Sequence, residues 1–271
     1  MDSRDILDKE FAAQAFDDGQ PYQEMLVKYK DLACSYAVME NAIAVLSDLR
    51  TRTSHIYYGG FSRMLACGSG GGNILVPSIW EEEIFSLIHP DDLAEKHLQE
   101  LCFFHFIRRQ PKKNRNDYCL ASKLRMKAPS GDYIEAFHRM FYISAPAAAD
   151  ANPDFADRAD TRMHGQHEDK LWLALCLYSP LIFDFPSKCM IINSVNGQTR
   201  DLTQQNASKI LSAREKQVLN LIDRGLTSKS IAEALCISKN TVSRHRQEIL
   251  AKLQVKNSIE ACRIAKELKI I

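Results

Sequence analysis

The stretch from Leu211 to Leu268 constrains the fold more than any other, because four short amphipathic helices follow one another there, each with a start signal. Ser212 and Glu215 have the spacing of a capping box, in which a hydroxyl and a carboxylate each satisfy a free backbone N–H group. Asn257 and Glu260 repeat that spacing before the last helix. The two helices between begin at hydroxyl residues, Thr227 and Ser238. Two short helices, a tight turn and a third, strongly basic helix predict a helix-turn-helix.

Apolar residues recur at helical spacing within this stretch and predict a small buried core. Gly225, after the first of the helices, is a natural C-terminal stop. The predicted core residues are Val218, Leu219, Ile222, Ile231, Ala232, Leu235, Val242, Ile249 and Leu253.

These residues resemble the LuxR-type (NarL-type) helix-turn-helix family over roughly the last quarter of the chain. The matching marks are the Ser-x-Arg-Glu opening, Gly225-Leu226-Thr227, Ile231-Ala232, Ile237-Ser238, Asn240-Thr241-Val242, His245, Ile249, Lys252-Leu253 and the closing segment from Asn257 to Ala265. The resemblance implies an all-α, four-helix DNA-binding domain over residues 208–271. We expect residues 198–207, which are polar, to form the linker before it.

The third helix of this domain, from Lys239 to about Leu253, is predicted to read DNA. Val242 and Ile249 point inward, with His245 or Arg246 between them on the same side. Residues at steps of three and four on the other side share an outward face and are predicted to meet base edges. Arg suits guanine, and Gln or Asn suits adenine. The predicted base contacts are Asn240, Ser243, Arg244 and Gln247.

Phosphate contacts are predicted around the same helix and at the start of the helix before it. Hydroxyl and basic side chains are typical partners of phosphate oxygens, and they position a protein without reading sequence. The predicted phosphate contacts are Thr227, Ser228, Lys229, Lys239, Thr241, Arg246 and Lys252.

Charge is divided unevenly along the 271 residues, which are enough for two ordinary domains. Residues 208–271 hold 13 Lys/Arg and 6 Asp/Glu, a net charge of +7. The remaining 207 residues hold 22 and 28, a net charge of −6. This asymmetry indicates one nucleic-acid-binding module joined to one that does not bind nucleic acid.

The N-terminal region is predicted to begin with a flexible segment, residues 1–20, followed by a long helix from Tyr22 to about Arg50. Seven apolar or aromatic residues step along that helix by fours and threes, as in a heptad seam. The helix either lies on its own domain or joins two copies of the chain. The last helix, Ser258 to Leu268, either forms a second dimer surface or only closes its bundle. The seam residues are Met25, Tyr29, Leu32, Tyr36, Met39, Ile43 and Leu46.

Between residues 51 and 197 the pattern predicts strands, helices and a mobile insertion over residues 145–169. Helices are expected at 61–65, at 79–88, and from a cap at Asp91 or Asp92 to about Arg109. Tyr118–Lys127 and Tyr133–Ser144 form a hairpin across Pro-Ser-Gly-Asp. The other predicted strands are His55–Tyr58, Leu171–Tyr178 and Cys189–Val195.

This order resembles a PAS sensor domain. Its marks are Ile88-His89-Pro90-Asp91-Asp92, Leu124-Arg125-Met126 and Ser130-Gly131-Asp132-Tyr133. The resemblance implies a five-stranded antiparallel sheet with helices over one face. Members of the family often bind a small molecule between sheet and helices, or dimerise through a flanking helix. The predicted fold class is therefore α+β, followed by an all-α domain.

The sequence predicts a DNA-binding transcriptional regulator whose PAS-like domain senses a signal or mediates dimerisation. Expected partners are double-stranded DNA, a second copy of the chain, RNA polymerase and a small-molecule ligand of unknown identity. Two alternatives stay open: a response-regulator-like protein with a divergent receiver domain, and an enzyme domain fused to a DNA-binding tail. A receiver domain would need alternating strands and helices, with an Asp ending a buried strand.

No catalytic residue, metal site or cofactor is predicted. The eight cysteines form no Cys-x-x-Cys pair, and Cys102-x-x-His105 and His164-x-x-His167 are isolated pairs rather than ligand clusters. No signal peptide opens the chain, and no apolar run reaches the roughly 18 residues of a membrane span. We therefore expect a cytoplasmic protein that is not an enzyme and does not bind a membrane.

Overall fold

The computed structural model describes two compact units, residues 3–200 and residues 201–271. Its described ranges are 3–16, 21–68, 72–146, 170–202, 211–253, 255, 257–267 and 270–271. The predicted insertion, except for Ala145 and Pro146, lies outside them, as does the second half of the predicted linker, residues 203–207. No helix in these ranges combines the length and apolar character that a membrane crossing requires.

The N-terminal unit is built on an eight-stranded sheet with the order β3-β2-β1-β6-β5-β4-β7-β8. All pairings from β3 to β7 are antiparallel. The run β2-β1-β6-β5-β4 is the five-stranded antiparallel core that the PAS resemblance implies. The strands are β1 Ile43–Asp48, β2 Thr53–Tyr58, β3 Asn73–Val76, β4 Tyr118–Lys127, β5 Tyr133–Ser144, β6 Leu171–Pro180, β7 Cys189–Asn193 and β8 Thr199–Asp201.

The predicted α+β fold class is confirmed, and the receiver-domain alternative is wrong, because the strands pair antiparallel rather than alternating with crossover helices. The hairpin of β4 and β5 has the predicted bounds. Strand β8 is a correction, because it lies inside the segment predicted as a linker.

Helices cover both faces of this sheet, whereas the resemblance implies helices over one face only. Ala33 and Ala37 pack with Leu46 and Leu175 on one face. On the other, the Phe104 ring meets Tyr142 at 5.7 Å. The helices are α1 Ser3–Ala12, α2 Tyr22–Met39, α3 Phe61–Leu65, α4 Glu82–Phe85 and α5 Pro90–Arg109, followed by a 3-10 helix at Lys112–Asp117.

The predicted long helix from Tyr22 to Arg50 is wrong in its second part, because α2 ends at Met39. Asn41 then takes a φ of +56°, a left-handed conformation that Asn tolerates better than most residues. Residues 42–49 are all buried, and β1 lies between two neighbouring strands. A run that is apolar on both faces fits a helical period and a strand equally well.

The expectation of flexibility over residues 1–20 is also wrong for its first part, where α1 forms. Its buried residues Ile6, Leu7 and Phe11 lie on one helical face. The Phe11 ring meets Phe104 edge to face at 5.2 Å. The segment was predicted to be flexible because it is mostly polar, and only three large apolar side chains form its buried face.

Two further expectations need correction near α5. The predicted helix over residues 79–88 is reduced to α4, and the N-cap of α5 is His89, whose ring accepts a hydrogen bond from Asp91 N–H. Asp92 instead binds the neighbouring strand, accepting hydrogen bonds from the backbone and guanidinium of Arg125 at 2.8–2.9 Å. Asp92 therefore links α5 to β4 and does not cap α5.

The C-terminal unit consists of the four predicted helices. They are α6 Ala213–Asp223, α7 Ser228–Ala234, α8 Lys239–Leu253 and α9 Ser258–Glu267. They surround one apolar cluster that contains Val218, Leu219, Ile231, Val242 and Ile249. Gly225 ends the first helix with a φ of +81°, as its position predicts.

Candidate nucleic-acid interface

Each helix of the C-terminal unit begins at a side chain that caps it. The capping box at α6 is complete, since Glu215 N–H donates to Ser212 Oγ and Ser212 N–H donates to the Glu215 carboxylate. Thr227 Oγ1 accepts from Ser230 N–H at 3.2 Å. The caps of the last two helices are Ser238, which accepts from Thr241 N–H, and Asn257, which accepts from Glu260 N–H. These local bonds fix where each helix starts.

Helix α8 is held by its buried side. Val242 is fully buried, and Ile249 and Leu253 are nearly so. His245 and Arg246, of which one was expected between them, are both half-buried. Burying each large aliphatic side chain stabilises the unit by about 1.5–3 kcal/mol, so the helix has a fixed rotational setting.

The opposite side of α8 carries the four predicted base contacts, Asn240, Ser243, Arg244 and Gln247, and all four are exposed. The structure therefore brings them together on one solvent-facing strip. The Arg244 side chain is 80 % exposed and pairs with Glu248 one turn further on, with 2.9 Å between Nε and Oε1. An exposed pair of this kind contributes at most about 1 kcal/mol, so Arg244 can leave it for another acceptor.

The predicted phosphate contacts divide into two groups. Lys229 and Lys239 are exposed near the starts of α7 and α8, and Thr227 and Thr241 lie beside them. The Thr227 hydroxyl already caps α7, and the Thr241 hydroxyl bonds to Ser238 Oγ.

Arg246 and Lys252, in contrast, are bound within the unit. Arg246 donates to Ser228 Oγ at 2.8 Å and to Ser258 Oγ at 3.1 Å, and so joins three helices. Lys252 Nζ lies 2.7 and 2.8 Å from the two carboxylate oxygens of Glu215, which is buried. Burial would raise the pKa of Glu215, but the bonds from Lys252 and Ser212 outweigh it and leave the pKa below its ordinary value.

Arg214 belongs to the Ser-x-Arg-Glu opening of the LuxR-type pattern, and its side chain links two helices of the unit. Its guanidinium donates to the carbonyl of Leu235 at 2.6 Å and to Gln217 at 2.9 Å. The bond to Leu235 closes the end of α7, just before Cys236 takes a φ of +54° in the turn. The bond therefore links α6 to the turn that precedes α8.

The N-terminal unit was expected to hold a ligand between its sheet and helices. Among the described residues, one cavity of about 20 Å³ lies between the sheet and the helices. Its lining includes the buried side chains of Glu81, Lys96 and Glu100, together with Cys176. That volume suits a single water molecule. An organic ligand in this cavity would have to displace some of these side chains.

Residues 209–265 match the family described as bacterial regulatory proteins of the luxR family. Curated relatives match over 26–30% of the chain. The oxygen regulatory protein NreC of Staphylococcus haemolyticus is 38% identical over 71 residues, 26% of this chain and 33% of that protein. NreC of Staphylococcus aureus strain JH9 is 36% identical over 80 residues, 30% and 36% of the two chains. The chain thus spans about a third of the length of the curated relatives it matches.

Two solved structures are similar over most of the chain, but only distantly. The phage VqmA–DPO complex is 12% identical, with a TM-score of 0.28 over 89% of both chains. Escherichia coli SdiA is 12% identical, with a TM-score of 0.23 over 99% of this chain and 97% of that one. The family match confirms the predicted LuxR-type domain at the C-terminal end.

Proposed function

We propose that the chain is a sequence-specific, double-stranded-DNA-binding transcriptional regulator, with α8 lying in the major groove. The observation that carries the proposal is the strip of Asn240, Ser243, Arg244 and Gln247, exposed together on a helix whose other side is locked in a core. A helix fits the major groove, where each base pair presents a distinct set of donors and acceptors. We propose these four residues as the base contacts.

Lys229 and Lys239 carry the proposed phosphate contacts, assisted by Thr227, Ser228 and Thr241. Their positions flank the strip, and the net charge of +7 over residues 208–271 supports binding to a polyanion. We assign Arg246 and Lys252 to holding the helices together, because reaching a phosphate would require each to release its present partners. We propose a cytoplasmic location, where the chain would meet its DNA.

We further propose that the chain acts as a homodimer, since one such domain reads few bases and a pair reads two half-sites. Helix α2 leaves apolar side chains in solvent, with Val38 73% and Met39 84% exposed. On α9, Ile259 is 84% exposed. Either helix offers an apolar surface to a second copy. The N-terminal unit would transmit a signal or provide dimerisation, RNA polymerase would be the downstream partner, and no catalytic role is proposed.

Duplex binding by the full chain, titrated at several salt concentrations, tests the proposal. Each neutralised phosphate contributes about −0.9 to the slope of log K against log salt. We expect a steep negative slope, reduced by about 1 in Lys239→Ala. Lys266→Ala is the matched control, because Lys266 pairs with Asp223 on α6 at 2.7 Å, and it should leave the slope unchanged. Absence of binding at low salt would contradict the proposal.

A further inference from the structure

Three potential metal ligands converge inside the N-terminal unit, from elements far apart in the sequence. They are Glu100 on α5, His138 on β5 and Cys176 on β6, and all three side chains are buried. Their ligand atoms all lie within 4.8 Å of one another. His138 pairs with Tyr178 in the β5–β6 register, so Cys176 is its diagonal neighbour on the same face of the sheet.

His138 is oriented toward the other two side chains by Ser122. The Ser122 hydroxyl and His138 Nδ1 are 3.1 Å apart, and the two residues face each other across β4 and β5. Nε2 lies 3.8 Å from Glu100 Oε1 and has no hydrogen-bond partner among the described residues. With the Nδ1 proton donated to Ser122, the Nε2 lone pair is left for a ligand. A second hydrogen bond of this kind is usual for histidines that bind metals.

The surrounding charges favour a cation. Lys96 Nζ binds Glu100 Oε1 at 2.7 Å, and Glu81 accepts a hydrogen bond from the Tyr178 hydroxyl at 2.9 Å. In their ordinary charge states Lys96, Glu81 and Glu100 sum to −1 in a buried space. A divalent cation with a Cys176 thiolate adds +1 and brings the sum to zero. Buried charges that remain unbalanced are costly.

We propose that Glu100, His138 and Cys176 form a binding site for a divalent transition metal, best suited to Zn²⁺. Nitrogen, oxygen and thiolate ligands are those that Zn²⁺ takes, at bonds of about 2.0–2.3 Å. Tetrahedral bonds of that length place ligand atoms about 3.3–3.8 Å apart, so side-chain shifts of about 1 Å close the site. Binding releases one proton, that of the Cys176 thiol.

The adjoining cavity supplies the fourth ligand. It is lined by Glu100 and Cys176, among others, and its volume of about 20 Å³ holds one water molecule. Three protein ligands and a water leave one exchangeable position on the metal. The site does not depend on DNA binding, because all of its residues belong to the N-terminal unit.

Cobalt titration of the full chain, after removal of metals with a chelator, tests the site. We expect one equivalent of Co²⁺ to bind with a thiolate-to-cobalt charge-transfer band in the near ultraviolet, and Zn²⁺ to remove the band by displacement. Cys176→Ser should abolish the band. Cys119→Ser is the matched control, since Cys119 is also a buried strand cysteine but lies outside the cluster, and it should keep the band. A band that survives Cys176→Ser would overturn the proposal.

Two measurements guard against a variant that fails to fold. Ser122→Ala, a change beside the ligands, should weaken Co²⁺ affinity by about ten- to a hundredfold, the usual effect of losing a second hydrogen bond to a ligating histidine. X-ray absorption of the unaltered chain with one equivalent of Zn²⁺ should show one sulfur at about 2.3 Å among nitrogen and oxygen neighbours. A spectrum without sulfur, or with several, would overturn the assignment.

Discussion

Glu248 is the one acidic side chain described on the exposed part of α8, and it pairs with Arg244 through Nε at 2.9 Å. It also lies 3.6 Å from His245 Nδ1. On the proposed interface this carboxylate repels phosphates and competes with DNA for Arg244. Glu248 therefore lowers the affinity of the helix for any duplex.

Glu248→Gln should raise duplex affinity by about two- to fivefold, the size of a surface pair of up to about 1 kcal/mol. Fluorescence anisotropy with a labelled duplex at fixed salt measures the change. Asp223→Asn is the control of equal charge, because Asp223 lies on α6 and pairs with Lys266. Equal gains in both variants would mean that only net charge matters and would remove Glu248 from the interface.

Lys252→Ala should cost the C-terminal unit about 2 kcal/mol of unfolding free energy, because it leaves the buried Glu215 carboxylate without its ammonium partner. Denaturant unfolding measures the loss. Lys229→Ala, at an exposed position, should stay within about 0.5 kcal/mol of the unaltered protein. If the two variants were equally stable, the Lys252 pair would be no more than a surface contact.

The same pair sets a dependence on pH. The pKa of Glu215 is below its ordinary value of 4.5 in the folded unit, so the unfolded chain binds the proton more readily. The stabilisation is therefore complete above about pH 4.5 and is lost as the pH falls through the folded-state pKa. Unfolding measured between pH 6 and pH 3 should show this loss, and Lys252→Ala should reduce it. An identical pH profile in the variant would contradict this assignment.

Among the helices and strands, those with strong local signals were predicted well. The β4–β5 hairpin has turn chemistry between two alternating strands, and its bounds were predicted to the residue. The four C-terminal helices each have a cap that can be found in the sequence. Strand β1 was not predicted because it is buried on both faces, so its apolar and polar residues do not alternate.

The candidate metal ligands escaped prediction for a different reason. Glu100, His138 and Cys176 come from a helix and two strands, so no spacing along the chain marks them. Only the antiparallel register of β5 and β6 brings His138 and Cys176 together. On α8, by contrast, the helical period alone separated Val242 from Arg244, so the exposed strip that we propose as the base contacts could be predicted.

Helix α2 is where a dimer prediction can be tested without damaging the fold. Removing residues 1–50 would also remove β1, so single changes are needed. Met39→Glu should weaken dimerisation at least tenfold if α2 joins two copies, and Ile259→Glu should do so if α9 does. Both side chains are exposed, so folding should be unaffected. Sedimentation over a range of concentrations measures the change.

Val195→Glu provides the control for these variants. Val195 is 75% exposed and follows β7, so it belongs to neither helix. The Val195→Glu variant should leave the monomer–dimer equilibrium unchanged. If neither Met39→Glu nor Ile259→Glu changes the molecular mass measured by sedimentation, both helices would be excluded as the dimer surface.

Considered as a whole, the molecule joins an acidic N-terminal unit to a basic C-terminal one, with net charges of −6 over residues 1–207 and +7 over residues 208–271. The basic unit carries the LuxR-family match and the exposed strip of α8. The acidic unit carries the antiparallel sheet and the buried cluster of candidate metal ligands. This division fits the proposal that the basic unit binds DNA and that the acidic unit senses a signal or mediates dimerisation.

Selection of duplexes from a random library, by the full chain and by Arg244→Ala, tests the central claim most directly. The unaltered chain should enrich one motif. Arg244→Ala should lose its preference at one position, typically a guanine, at a cost of about 1–3 kcal/mol, while the other positions stay the same. The same motif from both proteins, or no motif from the unaltered chain, would contradict the claim that the exposed face of α8 reads DNA sequence.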